Sequence, residues 1–281
     1  MFKNLNAGAI GIRNYGLEDT LRLAQQTGFG GIDFNIQEAA QLGADKAKAL
    51  FAKYGCQYGA WGLPVAWRDD AKWQTDVQAL PALAETAQAM GALRTATWCP
   101  PSGDLPFEEN FQWHVDRFGP IAEALKPYGI RFGIEFIGPQ TLRPAEKQAF
   151  IYTIEGMLDL IKAIGTGNVG LLLDAWHLYT SGGSLDDLDK IANADVVVVH
   201  VNDAPEGLTM ATYNDHDRRL PMETEVMDLP GFMRKLIAMN YDGPVTPEPF
   251  SKRLNELNNP QEAARITAEY MDKMWQASGL S

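Results

Sequence analysis

RFGIEF (131–136), VGLLLDAWH (169–177), VVVVHVND (196–203) and VTPEPF (245–250) decide the fold of this chain. Each is a short apolar run that ends on, or within a residue or two of, Glu135, Asp174, His200 or Glu248. Runs that are apolar without alternation suit strands buried on both faces, as in a parallel sheet covered by helices. Working outward, similar runs recur at 7–12, 31–35, 57–63 and 93–98, which with 131–136, 169–174, 196–201 and 245–248 makes eight. Between them, LEDTLRLAQQTG (17–28), AKWQTDVQALPALAETAQAMG (71–91), FQWHVDRFGPIAEALKPYG (111–129) and DLPGFMRKLIAMNYDG (228–243) space apolar residues three and four apart, and several close at glycine. These read as helices packed outside the sheet. Eight such units with no repeat, linker or shift in composition predict an α/β protein, one (β/α)8 barrel domain over 1–281, close to the roughly 250 residues typical of that fold. An open doubly wound sheet is the alternative, but no glycine-rich nucleotide fingerprint follows a strand candidate.

In a parallel barrel the carboxyl ends of the strands share one face, where the following loops wall off a pocket. A carboxylate or imidazole at the end of a buried apolar run is costly without a partner, and one divalent cation satisfies three acids and a histidine together. Three oxygen donors and one nitrogen suit Mn²⁺, Mg²⁺ or Co²⁺, with Zn²⁺ also compatible. Each residue alone has a plainer reading: an acid after a strand can cap the next helix, and a histidine after four valines can be a satisfied core residue. Recurrence at four successive strand ends favours the metal. His177, three residues past Asp174, is expected in the loop above the same pocket.

With 36 acidic against 24 basic side chains, a net charge of −12 and no run of Lys or Arg, the composition argues against a nucleic-acid partner. No stretch approaches the ~18 apolar residues of a membrane span. The opening MFKNLNAGAIGIRNYG lacks the apolar core and cleavage site of a signal peptide, so we expect no membrane association and a cytoplasmic location. Cys56 and Cys99 have no partner at zinc-ligand spacing and are expected to be buried, reduced thiols.

The chain resembles the xylose-isomerase-like barrel superfamily of sugar isomerases and epimerases, in pattern nearest to inosose isomerase and the ketose 3-epimerases. The likeness covers nearly the whole chain. It is most specific in KPYGIRFGIEFIGP, NVGLLLDAWHLYTSGG, VVVHVNDAP, DHDRRLP and DGPVTPEPF, which follow the family's order and approximate spacing. The resemblance implies one divalent metal on Glu135, Asp174, His200 and Glu248. It also implies substrate contacts by His177 and by Arg218 or the adjacent Arg219. Relatives commonly carry Pro-Gly-Glu-Gly after that arginine, whereas LPMETEV (220–226) lacks both glycines, and a glycine-type turn is hard for Met222 and Thr224 to adopt. In WGLPVAW and ATWCPPSG, Trp61 and Trp98 are candidates to stack on a sugar, with core packing as the alternative and the preferred reading of Trp67. His114, mid-helix in FQWHVDRF, is expected at the surface, and His216 lies in the long loop after the seventh strand without an identifiable carboxylate partner.

The activity implied is that of a metal-dependent isomerase or epimerase acting through an enediolate on a small unphosphorylated keto-sugar, inosose or other cyclitol. Glu135 and Glu248 would be acid and base, with His177 and Arg218 on the substrate oxygens. One alternative is a lyase on the same site, dehydrating an inosose or expelling the aglycone of a 3-keto-glycoside. Another is a non-catalytic metal- and sugar-binding barrel subunit. An endonuclease-like member is disfavoured by only four histidines and the acidic balance. Assembly as a homo-oligomer, common among relatives, is compatible with the sequence.

Overall fold

VVVVHV (196–201) is buried at every position, as the unbroken valine run requires. It is one of eight parallel strands that close a barrel in the computed structural model, which describes residues 1–280. The strands are β1 (Phe2–Leu5), β2 (Gly31–Phe34), β3 (Gln57–Gly62), β4 (Arg94–Cys99), β5 (Arg131–Phe136), β6 (Val169–Asp174), β7 (Val196–Val201) and β8 (Pro244–Pro247). Each pairs with its sequence neighbour, and β8 returns to β1 through Phe2↔Pro244 and Lys3↔Val245. The fold is the single-domain (β/α)8 barrel expected.

Among the described residues ten α-helices surround it: α1 (Leu17–Thr27), α2 (Ile36–Leu42), α3 (Ala44–Tyr54), α4 (Trp73–Met90), α5 (Phe107–Leu125), α6 (Ile154–Ile164), α7 (Ala175–Thr180), α8 (Leu229–Ala238), α9 (Lys252–Glu256) and α10 (Pro260–Ala277). α4 ends where Gly91 takes φ 87° and its N–H reaches the Ala87 carbonyl, a left-handed cap that a side chain would strain. Among the described residues no helix is long and apolar enough to cross a membrane. Both cysteines are buried and unpaired, as expected.

The first strand is a correction. It occupies 2–5 rather than 7–12, and Gly8–Ile10 form a short 3-10 turn instead. Two glycines and two alanines in AGAIGI give a weak strand former, whereas FKNL was hidden by a polar residue turned into the barrel. Asn4 is fully buried, donating to Asp33 Oδ1 at 2.7 Å and Thr246 Oγ1 at 3.0 Å.

Alternation along the strands then builds the site in layers. Ala60, Leu172 and Val198 form an interior cluster with Ala96 against it, and Gly133 lies among Ala96, Leu172 and Val197. Two residues further along, the same strands carry Gly62, Trp98, Glu135, Asp174 and His200 to the mouth.

Candidate active site

Asp174 uses its two oxygens separately. Oδ1 caps α7 by accepting the Trp176 N–H at 2.8 Å and the Asn202 amide at 3.0 Å, while Oδ2 faces Arg218 Nη1 at 2.9 Å. The capping role and the metal role read from sequence are therefore compatible in one side chain. His200 pairs with Asp174 across β6 and β7 and with Thr246 across β7 and β8. Glu248, just past β8, is held by its N–H to the Val201 carbonyl at 3.2 Å. Glu135 enters from β5, in register with Trp98.

One potential ligand atom from each of Glu135, Asp174, His200 and Glu248 lies within 4.8 Å of the others. His200 Nδ1 is 3.7 Å from Glu135 Oε1 and 3.3 Å from Glu248 Oε2. These are ion-pair distances without hydrogen-bond geometry, so His200 Nδ1 and Glu135 Oε1 are buried with no hydrogen-bond partner. Buried orphans of this kind cost about 1–3 kcal/mol each. Grouped with the Asp174 and Glu248 carboxylates, they fit a divalent cation coordinated by oxygen and imidazole nitrogen.

The charges are strongly displaced. Burial, then the neighbouring Glu248, pushes the Glu135 carboxyl well above the ordinary range. Burial also raises Asp174, against the opposing pull of Arg218. For Glu248 the desolvation is outweighed by His200 and Arg218, and its carboxyl falls below the usual value. His200 is likewise desolvated, yet Glu248, Glu135 and Asp174 lift it to about 10. His177 is driven well below its ordinary value by burial and by Arg218, and is neutral. Its Nδ1 accepts the Gly138 N–H at 3.1 Å, the shorter of its two contacts with N–H donors and the one that favours a proton on Nε2, where Arg218 Nη2 stands 3.4 Å away. That nitrogen lies 3.8 Å from both Glu135 Oε1 and Asp174 Oδ2.

Arg218 is fully buried, with Nη1 2.9 Å from Asp174 Oδ2 and 3.3 Å from Glu248 Oε2, and Nη2 2.9 Å from Asp215 Oδ1. Arg219 instead pairs with Asp217 at 3.0 Å and hydrogen-bonds through its backbone to Asp203. Of the two arginines, Arg218 stands at the site. A cavity of about 510 Å³ opens over β4 to β8, lined among others by Trp98, Glu135, His177, His216, Arg218 and Glu248. Trp98 is 41% exposed there, as a stacking platform requires.

Three expectations are corrected. Trp61 is fully buried and donates its indole N–H to the Ala92 carbonyl at 3.0 Å, outside the cavity. Ala60 and Gly62 face inward, so the residue between them faces the helices. His114 is not at the surface: it is buried, its Nδ1 2.8 Å from the Asn110 carbonyl and its ring stacked on Phe150. His177 sits on α7 rather than in a loop. His216 does line the cavity, against Phe250. The glycine-free loop makes its turns regardless, with Met222 at φ 63° and Glu225 at φ 56°. Buried Asp203 holds it by accepting the backbone N–H groups of Thr224, Glu225 and Met227.

Three residues of the site went unread. Asn202 orients Asp174, and Asp215 binds both Arg218 and the Trp176 indole N–H. Asp33, at the end of β2, accepts from Asn4 and from the Ala60 N–H. The signal for Asp33 was a carboxylate in the apolar run GIDF, the same signal that marked Glu135.

Among proteins of known sequence, the chain is 28% identical to inosose isomerase of Halalkalibacterium halodurans over 138 residues, 49% of this chain and 46% of that one. It is 27% identical to 3-dehydroshikimate dehydratase of Pseudomonas aeruginosa over 140 residues, 49% of this chain and 20% of that one. The chain thus spans about half the length, or less, of these curated relatives. A solved xylose isomerase domain protein from Alicyclobacillus acidocaldarius superposes with a TM-score of 0.87 at 28% identity, covering 99% of both chains. Residues 21–274 match the xylose isomerase-like TIM barrel family, and with eight strands closed around a cluster of three acids and a histidine, the chain belongs to that family.

Proposed function

We propose that this barrel is a divalent-metal-dependent isomerase or epimerase that moves a proton beside the carbonyl of an unphosphorylated keto-sugar or inosose. The observation that carries the reading is the placement of Glu135 and Glu248, two carboxylates in one cluster that lie 3.7 Å and 3.3 Å from the His200 ring nitrogen they share. Two carboxylates brought together beside one substrate carbon can work as a base and an acid. Glu248 takes the proton and Glu135 returns one, each through a carboxylate oxygen that coordination leaves free. His177 Nε2–H and the Arg218 guanidinium donate to the substrate oxygens on which enediolate charge develops. Trp98 offers a flat apolar face to the ring. A divalent cation on Glu135, Asp174, His200 and Glu248 supplies Lewis-acid stabilisation of that charge.

The similarity to a dehydratase supports a second reading on the same residues. Abstraction beside a carbonyl also begins an elimination, and Glu135 would then protonate a departing oxygen. Both readings are tested by incubating the Mn²⁺-loaded protein with keto-sugars and inososes in D₂O and following the substrate by NMR and mass. Deuterium beside the carbonyl with unchanged skeleton indicates isomerisation, and loss of water or an aglycone indicates the lyase. Glu248→Gln and Glu135→Gln should each slow exchange by roughly 10²–10⁴-fold; exchange at the parent rate in Glu248→Gln would sink the proposal.

A further inference from the structure

The metal-ligand cluster uses only part of the barrel mouth. The cavity of about 510 Å³ over the cluster is lined from the ends of β4 to β8, through Trp98, Glu135, His177, Arg218 and Glu248. A second cavity, of about 470 Å³, is lined from the ends of β1 to β3, through Asn6, Asp33 and Gly62. The first is walled by the ends of β4 and β5 and the segments that follow β6, β7 and β8, the second by the ends of β2 and β3 and the segment that follows β1. They lie side by side on one face, because β8 pairs with β1 and β3 pairs with β4. Each alone falls within the roughly 300–1,000 Å³ of small-molecule sites.

The second cavity has its own chemistry. Asn6, Asn14, Tyr15, Asp33, Asn35 and Glu38 line it, and among the described residues no Lys, Arg or His does. Amides, a phenol and carboxylates can both donate to and accept from hydroxyl groups, whereas an anionic group would meet only repulsion. Phe34 and Pro64 supply apolar wall. Asp33 joins the two halves, since Asn4 bridges it to Thr246, which pairs with His200. We propose that the Asn6–Asp33–Glu38 cavity is a second substrate subsite that binds an uncharged polyhydroxylated unit, so that the substrate is a two-unit molecule such as a keto-disaccharide or keto-glycoside. This names the substrate class for the proposed function and rests on that reading for the reacting ring, while the binding itself does not.

Gly62 offers a clean obstruction. A Cβ built there meets nothing within 4 Å, and the exposed residue lines the cavity, so Gly62→Phe places a bulky side chain at the subsite from a starting point in open space. Asn14→Gly with Gln37→Ala trims the wall instead; both side chains are exposed, and glycine keeps the Asn14 backbone at φ 61°. The probes are methyl α-glucoside and maltose, whose binding to the Mn²⁺-loaded full chain is read by saturation-transfer NMR and titration. Maltose should bind about tenfold more tightly than the single ring. Both of its rings should receive saturation, and Gly62→Phe should abolish that advantage while leaving methyl α-glucoside binding and the melting temperature unchanged. Equal affinity for the two probes, or an advantage that survives both variants, overturns the subsite. Deuterium exchange into a one-ring inosose, run alongside, separates the two ideas: its absence with an intact maltose preference refutes the activity and leaves the subsite standing. Exchange without that preference does the reverse.

Discussion

Metal binding at this cluster should be opposed by protons, and strongly enough to measure. With His200 titrating at about 10, all but roughly one molecule in a thousand carry the proton at pH 7, and removing it costs about 4 kcal/mol. Coordination through Nδ1 requires that proton to leave, as does coordination through a protonated Glu135. Affinity should therefore rise about tenfold per pH unit from His200 alone, and up to about a hundredfold where Glu135 also releases a proton. The metal-free fold has the complementary slope. A histidine whose folded value is raised contributes stability that is fully present below its unfolded value, about 6.5, and lost as pH rises toward 10. The raised Glu135 and Asp174 carboxyls act in the same sense, destabilising the fold once pH exceeds their unfolded values. Glu248, whose value is lowered, contributes only above its unfolded value and leaves the range from pH 6 to 8.5 unaffected. The assay is thermal melting from pH 6 to 8.5, with EDTA or with Mn²⁺ in excess. At a hundredfold excess over Kd the metal adds about 2.7 kcal/mol, a rise of roughly 5–10 °C for a chain of this size. The rise should grow with pH and vanish in His200→Ala. A shift that is the same at pH 6 and 8.5, or that persists in His200→Ala, would refute the assignment of the cluster as a metal centre.

Gly138→Ala tests how His177 is held: a Cβ there drives into the His177 carbonyl oxygen and Thr180 Oγ1, and the Gly138 N–H fixes Nδ1. Overpacking of this kind costs about 1–3 kcal/mol, so Tm should fall by roughly 2–12 °C and the proposed proton exchange should slow with it; an unchanged melt would show that the approach is not tight. In the glycine-free loop, exposed Glu225 at φ 56° predicts opposite signs for two substitutions. Glu225→Gly should stabilise slightly, by less than about 1 kcal/mol, and Glu225→Val destabilise by about 1–2 kcal/mol; equal melts would mean the backbone there relaxes freely.

Most of the barrel was legible because a parallel sheet buried on both faces leaves an unambiguous trace, and 131–136, 169–174 and 196–201 are found as strands with the expected bounds. The trace fails where a polar side chain enters the barrel. Asn4 made FKNL look like surface, and the apolar but glycine-rich AGAIGI took its place. The same property that obscured β1 is what makes a site, since Asp33, Glu135 and Asp174 are also polar residues in apolar runs. Telling them apart needs parity. Residues two apart on a strand share a face, so once Ala60 and Gly62 are known to face the interior, Trp61 is committed to the helix side and its indole to Ala92. Ala96 and Trp98, Gly133 and Glu135, and Val198 and His200 obey the same rule at the mouth. Asp215 and Arg218 lie beyond its reach. They arrive on a loop anchored by the backbone pair of Asp203 with Arg219 and by the Arg218 N–H on the Pro249 carbonyl rather than by any periodicity, so the cation that balances the acids was visible only as one of two adjacent arginines. With Asp215 holding Nη2 and Asp174 and Glu248 sharing Nη1, that side chain has one orientation, and its direction rather than its charge alone distinguishes it from Arg219.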